Sequence, residues 1–282
     1  MTMRVAPPKV FPVATRASKP PISAEGSADA YRQTSFVLGA EVETVLTAMN
    51  WEGAVATASS GAKFRNQQTA AGLGLWSRSW LYRLEALHAM EWGNYPGAMP
   101  LIRAAADCAG GLLYLLRHGM REWGEWLDDG GVALAPEQHA MEFRLHAFRA
   151  AEVLAEDPVL GPAYRISGDL TLPHFGATML LVGGDSDSER VAMTFGDRDF
   201  HVGFAELVLG WLASLSAWHM RVALEYPAVF GPTETPDRAA IDAMVVVERR
   251  CHVELVEVAG APRYLVHNVR RAPGGAPKRY FL

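Results

Sequence analysis

The sequence predicts a mainly α-helical protein, a bundle of about six helices followed by a small C-terminal β-hairpin. Apolar residues recur at three- and four-residue steps along most of the chain, which is the pattern of helices with one buried face. Glycines and prolines fall between these stretches, and strand-like alternation begins only at Cys251. With 282 residues, of which 50% are apolar and 20% charged, the chain has the composition of a globular protein with a sizeable core.

The first two helices are predicted over residues 25–58 and 69–92. The polar sequence SSGAKFRNQQ separates them. The second stretch has large apolar residues at helical spacing: Leu73, Trp76, Trp80, Leu84 and Leu87. The turn residues Asn94-Tyr-Pro96-Gly then end this helix and begin the next one.

The third predicted helix, residues 99–117, is apolar on nearly every side, and we expect it to be the central, buried helix of the bundle. The sequence GEWLDDGG that follows reads as a loop. A fourth, amphipathic helix is expected over residues 136–156, ended by the sequence DPVLGP.

The C-terminal half is predicted to contain a short helix and two longer ones. After a short helix, a loop and an extended piece within 171–197, an apolar helix covers residues 200–225. Pro236 precedes the next predicted helix, residues 237–250. The valine-rich sequence that follows alternates around a Gly-Ala-Pro turn and predicts the hairpin.

Two helices could be mistaken for membrane spans, residues 99–116 and 202–218. Charged residues lie inside both, Arg103 and Asp107 in the first and Glu206 in the second, and both are short for a span. We therefore expect core helices and no membrane association. Two isolated cysteines provide no disulfide framework, so a reducing cytoplasm is the expected location.

Charge is distributed unevenly along the chain. Residues 1–24 and 263–282 contain basic groups and no acid, so all 31 acidic residues lie between them. The predicted organisation is a flexible basic tail (1–24), a helical bundle (25–250), and a hairpin with a basic tail (251–282). The tails are either solvated or contact RNA or the acidic body of a neighbouring subunit.

Arg103 and Asp107 are the charged pair of the third helix. A spacing of four residues places them on one helical face. Because an unpaired charge in a core is strongly disfavoured, one hypothesis is an internal ion pair that fixes packing. The alternative is a polar groove in which Arg103 faces a phosphate or another anion.

The sequence AMPLIRAAADCAGGLLYLLR resembles a helix of uncharacterised bacterial proteins of the HEPN-like helical class, in which an acid follows Arg by four residues. That group also has a Tyr-x-x-Leu-Ser segment followed by a histidine, and YRISGDLTLPH supplies Tyr164, Ser167 and His174. The resemblance covers roughly residues 70–225. Asp107 departs from the expected Glu, and the gap between Ser167 and His174 is longer than in that group.

The HEPN-like class includes ribonucleases with the signature Arg, four to six residues, then His. The string Arg83-Leu-Glu-Ala-Leu-His88 matches it in spacing, although the class has a polar residue where Leu84 stands. From composition alone, we expect an exposed Arg83 and a partly buried, hydrogen-bonded His88. A metal-independent ribonuclease would use a histidine, His174 or His88, on the 2′-hydroxyl and an arginine, Arg103 or Arg83, on the phosphorane charge.

No cofactor or metal is expected. Glu85-x-x-His88 has the spacing of a di-iron helix, but no second Glu-x-x-His occurs. The sequence GGDSDSE lacks the Lys-Ser/Thr of a phosphate loop, and no GxSxG is present. The resemblance implies an RNA-directed defence or stress protein, expected to be a homodimer. The alternative is a non-catalytic helical bundle that binds a small apolar ligand between its tryptophans, or a protein partner.

Overall fold

A computed structural model gives the fold. It describes residues 9–11, 13–60, 67–129, 133–135, 140–142, 150–183, 186, 189–230, 238–243, 251–267 and 279–281. Within these residues the protein is mainly α, with ten α-helices, one 3-10 turn at Ile22–Ala24 and five short strands. The predicted fold class is confirmed.

The helices follow one another along the chain, and α1, α2, α3, α4, α6 and α8 have twelve or more residues. Their bounds are α1 Glu25–Val37, α2 Gly39–Ser60, α3 Gln67–Glu91, α4 Tyr95–Asp129, α5 Ala151–Glu156, α6 Leu160–Thr171, α7 Phe175–Val182, α8 Val202–Glu225, α9 Pro227–Phe230 and α10 Arg238–Ala243.

The strands form two small antiparallel sheets. Strands β1 (Ala133–Ala135) and β2 (Ala140–Glu142) pair with each other. The predicted C-terminal hairpin is confirmed as β3 (His252–Val258) and β4 (Ala261–His267), which pair along their whole length. Strand β5 (Arg279–Phe281) adds a third strand beside β4, where the sequence predicted only a basic tail.

Three predicted elements differ from the structure. The first predicted helix is two helices, because α1 ends at Val37 and α2 begins at Gly39, with Leu38 between them as the C-cap of α1. The predicted loop at GEWLDDGG is helical up to Asp129, since α4 continues that far. Of the predicted helix 136–156, residues 140–142 are strand β2 and only 151–156 are helical, while 136–139 and 143–149 lie outside the described residues.

Helix α8 is the most enclosed helix, with 19 of its 24 residues buried. It packs against α2, α3 and α4. Helix α4, the predicted centre, contributes a continuous buried stretch over residues 108–115 and contacts α6 on its other side. The bundle is therefore built around two apolar helices, one of them longer than the sequence indicated.

A tight turn joins α3 to α4. Gly93 has a φ of 70°, a conformation that glycine adopts without strain. The side chain of Asn94 accepts a hydrogen bond from the N–H of Gly97 at 3.2 Å and caps α4. The stop-and-restart signal in the sequence is thus a helix cap, and it turns the chain so that α4 packs along α3.

The windows Tyr95–His118 and Val202–Glu225 are long and apolar enough to cross a membrane. Within the structure, 67% of the first and 83% of the second are buried against the rest of the chain. Their apolar surface is thus largely used in packing within this chain, as in core helices.

Residues 13–18 belong to the segment expected to be a flexible tail. In the structure they are instead held against α2 and α3. The N–H of Ala14 donates to Asn50 on α2 at 2.8 Å, and the N–H of Ala17 donates to Glu91 on α3 at 2.8 Å.

Candidate functional site

Arg103 lies half-buried on α4 and contacts Tyr164 on α6. Its guanidinium carbon is 5.0 Å from the centre of the Tyr164 ring, and Nη2 donates to the phenol oxygen at 3.3 Å. A Cβ atom on Gly168 would lie 3.4 Å from Nη1 of Arg103. The small residue at position 168 therefore lets α6 approach the guanidinium closely.

Asp107 lies one turn further along α4 and is exposed. Among the described residues, no salt bridge within 4.0 Å joins Asp107 to Arg103, so the ion pair, one of the two hypotheses for these residues, is not formed. Partial burial raises the pKa of the Asp107 carboxyl, while the charges of Arg103 and Arg78 oppose that rise. Asp107 thus interacts electrostatically with one arginine on α4, Arg103, and one on α3, Arg78.

Arg78 repeats the arrangement of Arg103 on α3. Its guanidinium lies 5.9 Å from the ring centre of Tyr82 and donates to the phenol oxygen at 3.3 Å. The charges of Arg78 and Arg103 both act on the Asp107 carboxyl, and α3, which carries Arg78, packs along α4, which carries Arg103 and Asp107. We therefore treat the two arginine–tyrosine pairs together. We call this set of residues the arginine–tyrosine face, and it consists of Arg78, Tyr82, Arg103, Asp107 and Tyr164.

His174 is at the N-terminus of α7, where its ring accepts a hydrogen bond from the N–H of Ala177 at 3.1 Å. The side chain therefore caps the helix. No hydrogen bond, ion pair or ring contact joins it to Arg103 or Asp107 within the described part of the chain. Ser167 is buried and bonds to the carbonyl of Ala163 on its own helix.

Arg83 was expected at the surface, and this prediction is wrong, because its exposed fraction is 0%. Both terminal nitrogens bind the carboxylate of Glu52 on α2, at 2.7 and 2.6 Å. His88 is partly buried and hydrogen-bonded, as expected, with Nε2 donating to the carbonyl of Thr15 at 2.8 Å. Arg83 and His88 therefore point to different parts of the structure and share no groove.

The buried pair of Arg83 and Glu52 is the centre of a polar network that sequence reasoning missed. Arg83 also donates to Ser216 on α8 at 2.6 Å, and Trp76 on α3 donates to Glu52. All four side chains are almost inaccessible to solvent. The network links α2, α3 and α8 and neutralises a charge inside the core.

Ser79 on α3 extends the network to α4 and to His219 on α8. Ser79 gives its hydroxyl proton to the carbonyl of Ala105 at 3.0 Å, so it accepts from Nε2 of His219 at 2.9 Å. This arrangement assigns the proton to Nε2 and leaves Nδ1 as a buried acceptor with no partner among the described residues. Burial and the charge of Arg83 hold the pKa of His219 well below its usual range, so the ring is neutral.

The sequence contains no local signal for this network. Glu52 and Arg83 are 31 residues apart and Ser79 and His219 are 140 apart, so no motif spacing connects them. The network is enclosed by helices, and its arginine, carboxylate and hydroxyls are all engaged within it. Its geometry is that of an internal scaffold that fixes how α2, α3, α4 and α8 pack.

A second unpredicted pair precedes α8. Nε2 of His201 lies 2.9 Å from the Asp197 carboxylate, and the N–H of His201 donates to the buried phenol of Tyr95 at 3.0 Å. Asp197 also accepts from the N–H of Asp199, which closes the turn. These contacts tie the loop before α8 to the start of α4. Among the described residues, no group of three His, Cys, Asp or Glu side chains is placed to hold a metal.

Comparisons with known proteins yield no relative for this chain. No protein-family model matches it, and searches of curated proteins and of solved structures returned no significant match. Function is therefore argued from the arrangement of the residues alone.

Proposed function

We propose that this protein binds single-stranded RNA through the arginine–tyrosine face, without cleaving it. The observation that carries the proposal is the position of Arg103, a half-buried guanidinium stacked on Tyr164 with no carboxylate within 4.0 Å among the described residues. A guanidinium in this setting has free N–H groups for a phosphate and a flat outer surface for a base.

The second arginine–tyrosine pair supports the same proposal. Arg78 is exposed on α3, and its guanidinium lies over Tyr82. Two stacked pairs match what proteins use for unpaired nucleotides, namely aromatic or guanidinium planes for the bases and cationic groups for the backbone. The negative charge of Asp107, which interacts with both arginines, limits the attraction for RNA and makes it depend on pH.

The contacts of the predicted histidines favour binding over cleavage. His174 uses Nδ1 to cap α7, and His88 uses Nε2 to hold residue Thr15. Neither imidazole contacts the arginine–tyrosine face, where a general base would be needed on the 2′-hydroxyl. The HEPN-like relationship, the homodimer and the cytoplasmic location stay predictions.

Fluorescence anisotropy with a labelled single-stranded uridine oligonucleotide, in EDTA, tests the proposal. We expect Arg103→Ala to weaken binding about tenfold, the loss typical of removing one base-stacking side chain. Arg103→Lys keeps the positive charge but loses the flat guanidinium surface, so its affinity for RNA should lie between those of the wild type and Arg103→Ala. Binding by the wild type should weaken as salt rises.

Arg32→Ala is the matched control. Arg32 is an exposed arginine on α1 that pairs with Asp29, outside the arginine–tyrosine face. The control should bind like the wild type. Equal affinity of Arg103→Ala and the wild type would contradict the proposal, and cleavage in EDTA that His174→Ala abolishes would favour a ribonuclease instead.

A further inference from the structure

The most informative surface outside the arginine–tyrosine face is where residues 13–18 lie against the bundle. These residues, the N-terminal segment, have neither helix nor strand structure. The side chains that receive them, called the segment groove, come from α1, α2, α3 and the residue after α3: Tyr31, Ser35, Asn50, His88, Glu91 and Trp92.

The segment groove forms hydrogen bonds to the main chain of the N-terminal segment. Asn50 accepts from the N–H of Ala14 at 2.8 Å and donates to the carbonyl of the same residue at 3.4 Å. His88 binds the carbonyl of Thr15 at 2.8 Å, and Trp92 donates to the carbonyl of Ser18 at 2.9 Å. Proteins that bind a peptide segment often do so through hydrogen bonds to its main-chain groups. The segment groove uses side chains for these hydrogen bonds.

The groove also selects side chains. Ala14 and Ala17 are buried, with exposed fractions of 5% and 6%, so only small residues fit there in this arrangement. Between them, Arg16 donates Nε to Glu91 at 2.6 Å and Nη2 to Ser35 at 2.7 Å, with its guanidinium 5.0 Å from the Tyr31 ring centre. The sequence that fits is therefore Ala-x-Arg-Ala.

Glu91 shows that the groove requires an occupant. Its exposed fraction is 0%, and within the described residues its hydrogen bonds come only from Arg16 and from the N–H of Ala17. A buried carboxylate without these donors would lose its compensation. All groove side chains belong to the bundle, whereas residues 13–18 form neither helix nor strand, so their release breaks no element.

We propose that the segment groove is a peptide-binding site for a protein segment of the form Ala-x-Arg-Ala, and that residues 13–18 occupy it as a built-in competitor. Release of the N-terminal segment opens the site to an equivalent segment of a partner protein. The inference is independent of RNA binding, because the groove and the arginine–tyrosine face share no residue.

Hydrogen exchange on the unmodified full chain tests the release. The N–H groups of Ala14 and Ala17 are both hydrogen-bonded to the groove, so they exchange only when the segment leaves. We expect them to exchange well before the buried part of α3. If they exchange only together with α3, in global unfolding, the segment is a permanent part of the fold and the proposal is overturned.

Binding of a fluorescein-labelled peptide with the sequence of residues 10–20 tests the site itself. Full-length Arg16→Ala has a weakened built-in competitor, so it should bind the peptide at least about tenfold more tightly than the wild type does. A peptide with Arg16→Ala should bind about 30-fold more weakly, the loss expected when one partner of a buried charge pair is removed.

Arg32→Ala, an exposed arginine change on α1, is the matched control and should bind the peptide as weakly as the wild type. Circular dichroism checks that each variant is folded, and Arg16→Gln, which retains donors beside Glu91, replaces Arg16→Ala if the latter unfolds. No binding by the folded variant, equal binding of both peptides, or equal binding by wild type and variant would each overturn the proposal.

Discussion

Nε2 of His219 lies 2.9 Å from Oγ of Ser79, whose proton is already given to the carbonyl of Ala105. This relationship assigns the tautomer of a fully buried histidine and leaves its Nδ1 without a partner in the described part of the chain. The ring is also stacked on Trp76, with centres 5.2 Å apart and planes 8° from parallel. The neutral imidazole therefore joins α8 to α3, and the hydroxyl of Ser79 continues the link to α4.

Stability should depend on pH through His219. Its native pKa is well below the ordinary value of 6.5, so in the window just below pH 6.5 the unfolded chain binds a proton that the native protein does not. The contribution of His219 to the free energy of unfolding should therefore be fully present above pH 6.5. As the pH decreases below 6.5, the free energy of unfolding should fall by at most about 1.4 kcal/mol per pH unit. Urea denaturation at pH 8 and pH 5.5 measures this.

His219→Phe keeps a flat ring beside Trp76 but cannot be protonated, so it should flatten this pH dependence. His252→Gln, a change at an exposed histidine of β3, should leave it as in the wild type. The same slope in His219→Phe as in the wild type would show that other groups cause it.

The Glu52–Arg83 pair should be strongly coupled. Removing either partner, as in Arg83→Met or Glu52→Gln, leaves a buried polar group without its main partner and should lower the free energy of unfolding by about 3–5 kcal/mol. Because both effects come from one interaction, the double variant should lose less than the sum of the single losses. Urea denaturation of the three variants completes the double-mutant cycle.

Arg32→Ala, which breaks the exposed pair with Asp29, should change the stability little, since solvent screens such pairs. Additive losses at Glu52 and Arg83 would contradict the coupling and would indicate that Ser216 and Trp76 compensate each residue separately.

RNA binding should strengthen as pH falls through the raised pKa of Asp107. Protonation removes the one negative charge of the arginine–tyrosine face and leaves the charges of Arg78 and Arg103 unopposed. Asp107→Asn should bind more tightly than the wild type at pH 7 and should depend less on pH. Anisotropy titrations at pH 7 and pH 5 test this, and an equal pH response of both proteins would exclude Asp107 as its source.

Gly93→Ala should destabilise the turn between α3 and α4. Besides the positive φ of 70°, an added Cβ would lie 2.1 Å from the carbonyl oxygen of Arg198, which is backbone and cannot turn aside. We expect a loss above about 1 kcal/mol and a lower melting temperature. Gly74→Ala on α3 is the control, because no atom lies within 4 Å of its added Cβ and alanine is the better helix former.

The sequence predicted the parts of the fold that depend on local rules. Helical periodicity located α3, α4 and α8 to within a few residues, apart from the C-terminal extension of α4. Alternation located β3 and β4, and the Asn94 cap was visible as a turn signal. The short-range pattern gave the wrong prediction at residues 140–142. These residues form strand β2 within a predicted helix, because the spacing of their apolar residues fits more than one structure.

For the candidate site, the sequence named Arg103, Asp107 and Tyr164 but did not predict the contact between Arg103 and Tyr164. Spacing placed Arg103 and Asp107 on one helical face and left open an internal ion pair or a polar groove. In the described part of the structure, Arg103 contacts Tyr164, 61 residues away, and forms no salt bridge with Asp107. His174 was assigned to the same site, and its position at the start of α7 makes it a cap instead.

The sequence by itself determined that the long apolar stretches of α3, α4 and α8 are core helices and where the hairpin lies, since neighbours along the chain decide these properties. Only the tertiary structure decided which charges are buried. Arg83 and Arg103 look alike in sequence, yet Arg83 is enclosed because Glu52 on another helix compensates its charge. Glu91 is likewise enclosed because Arg16, 75 residues earlier, reaches it. A buried charge requires a partner, and partners from distant parts of the chain meet only when the helices pack.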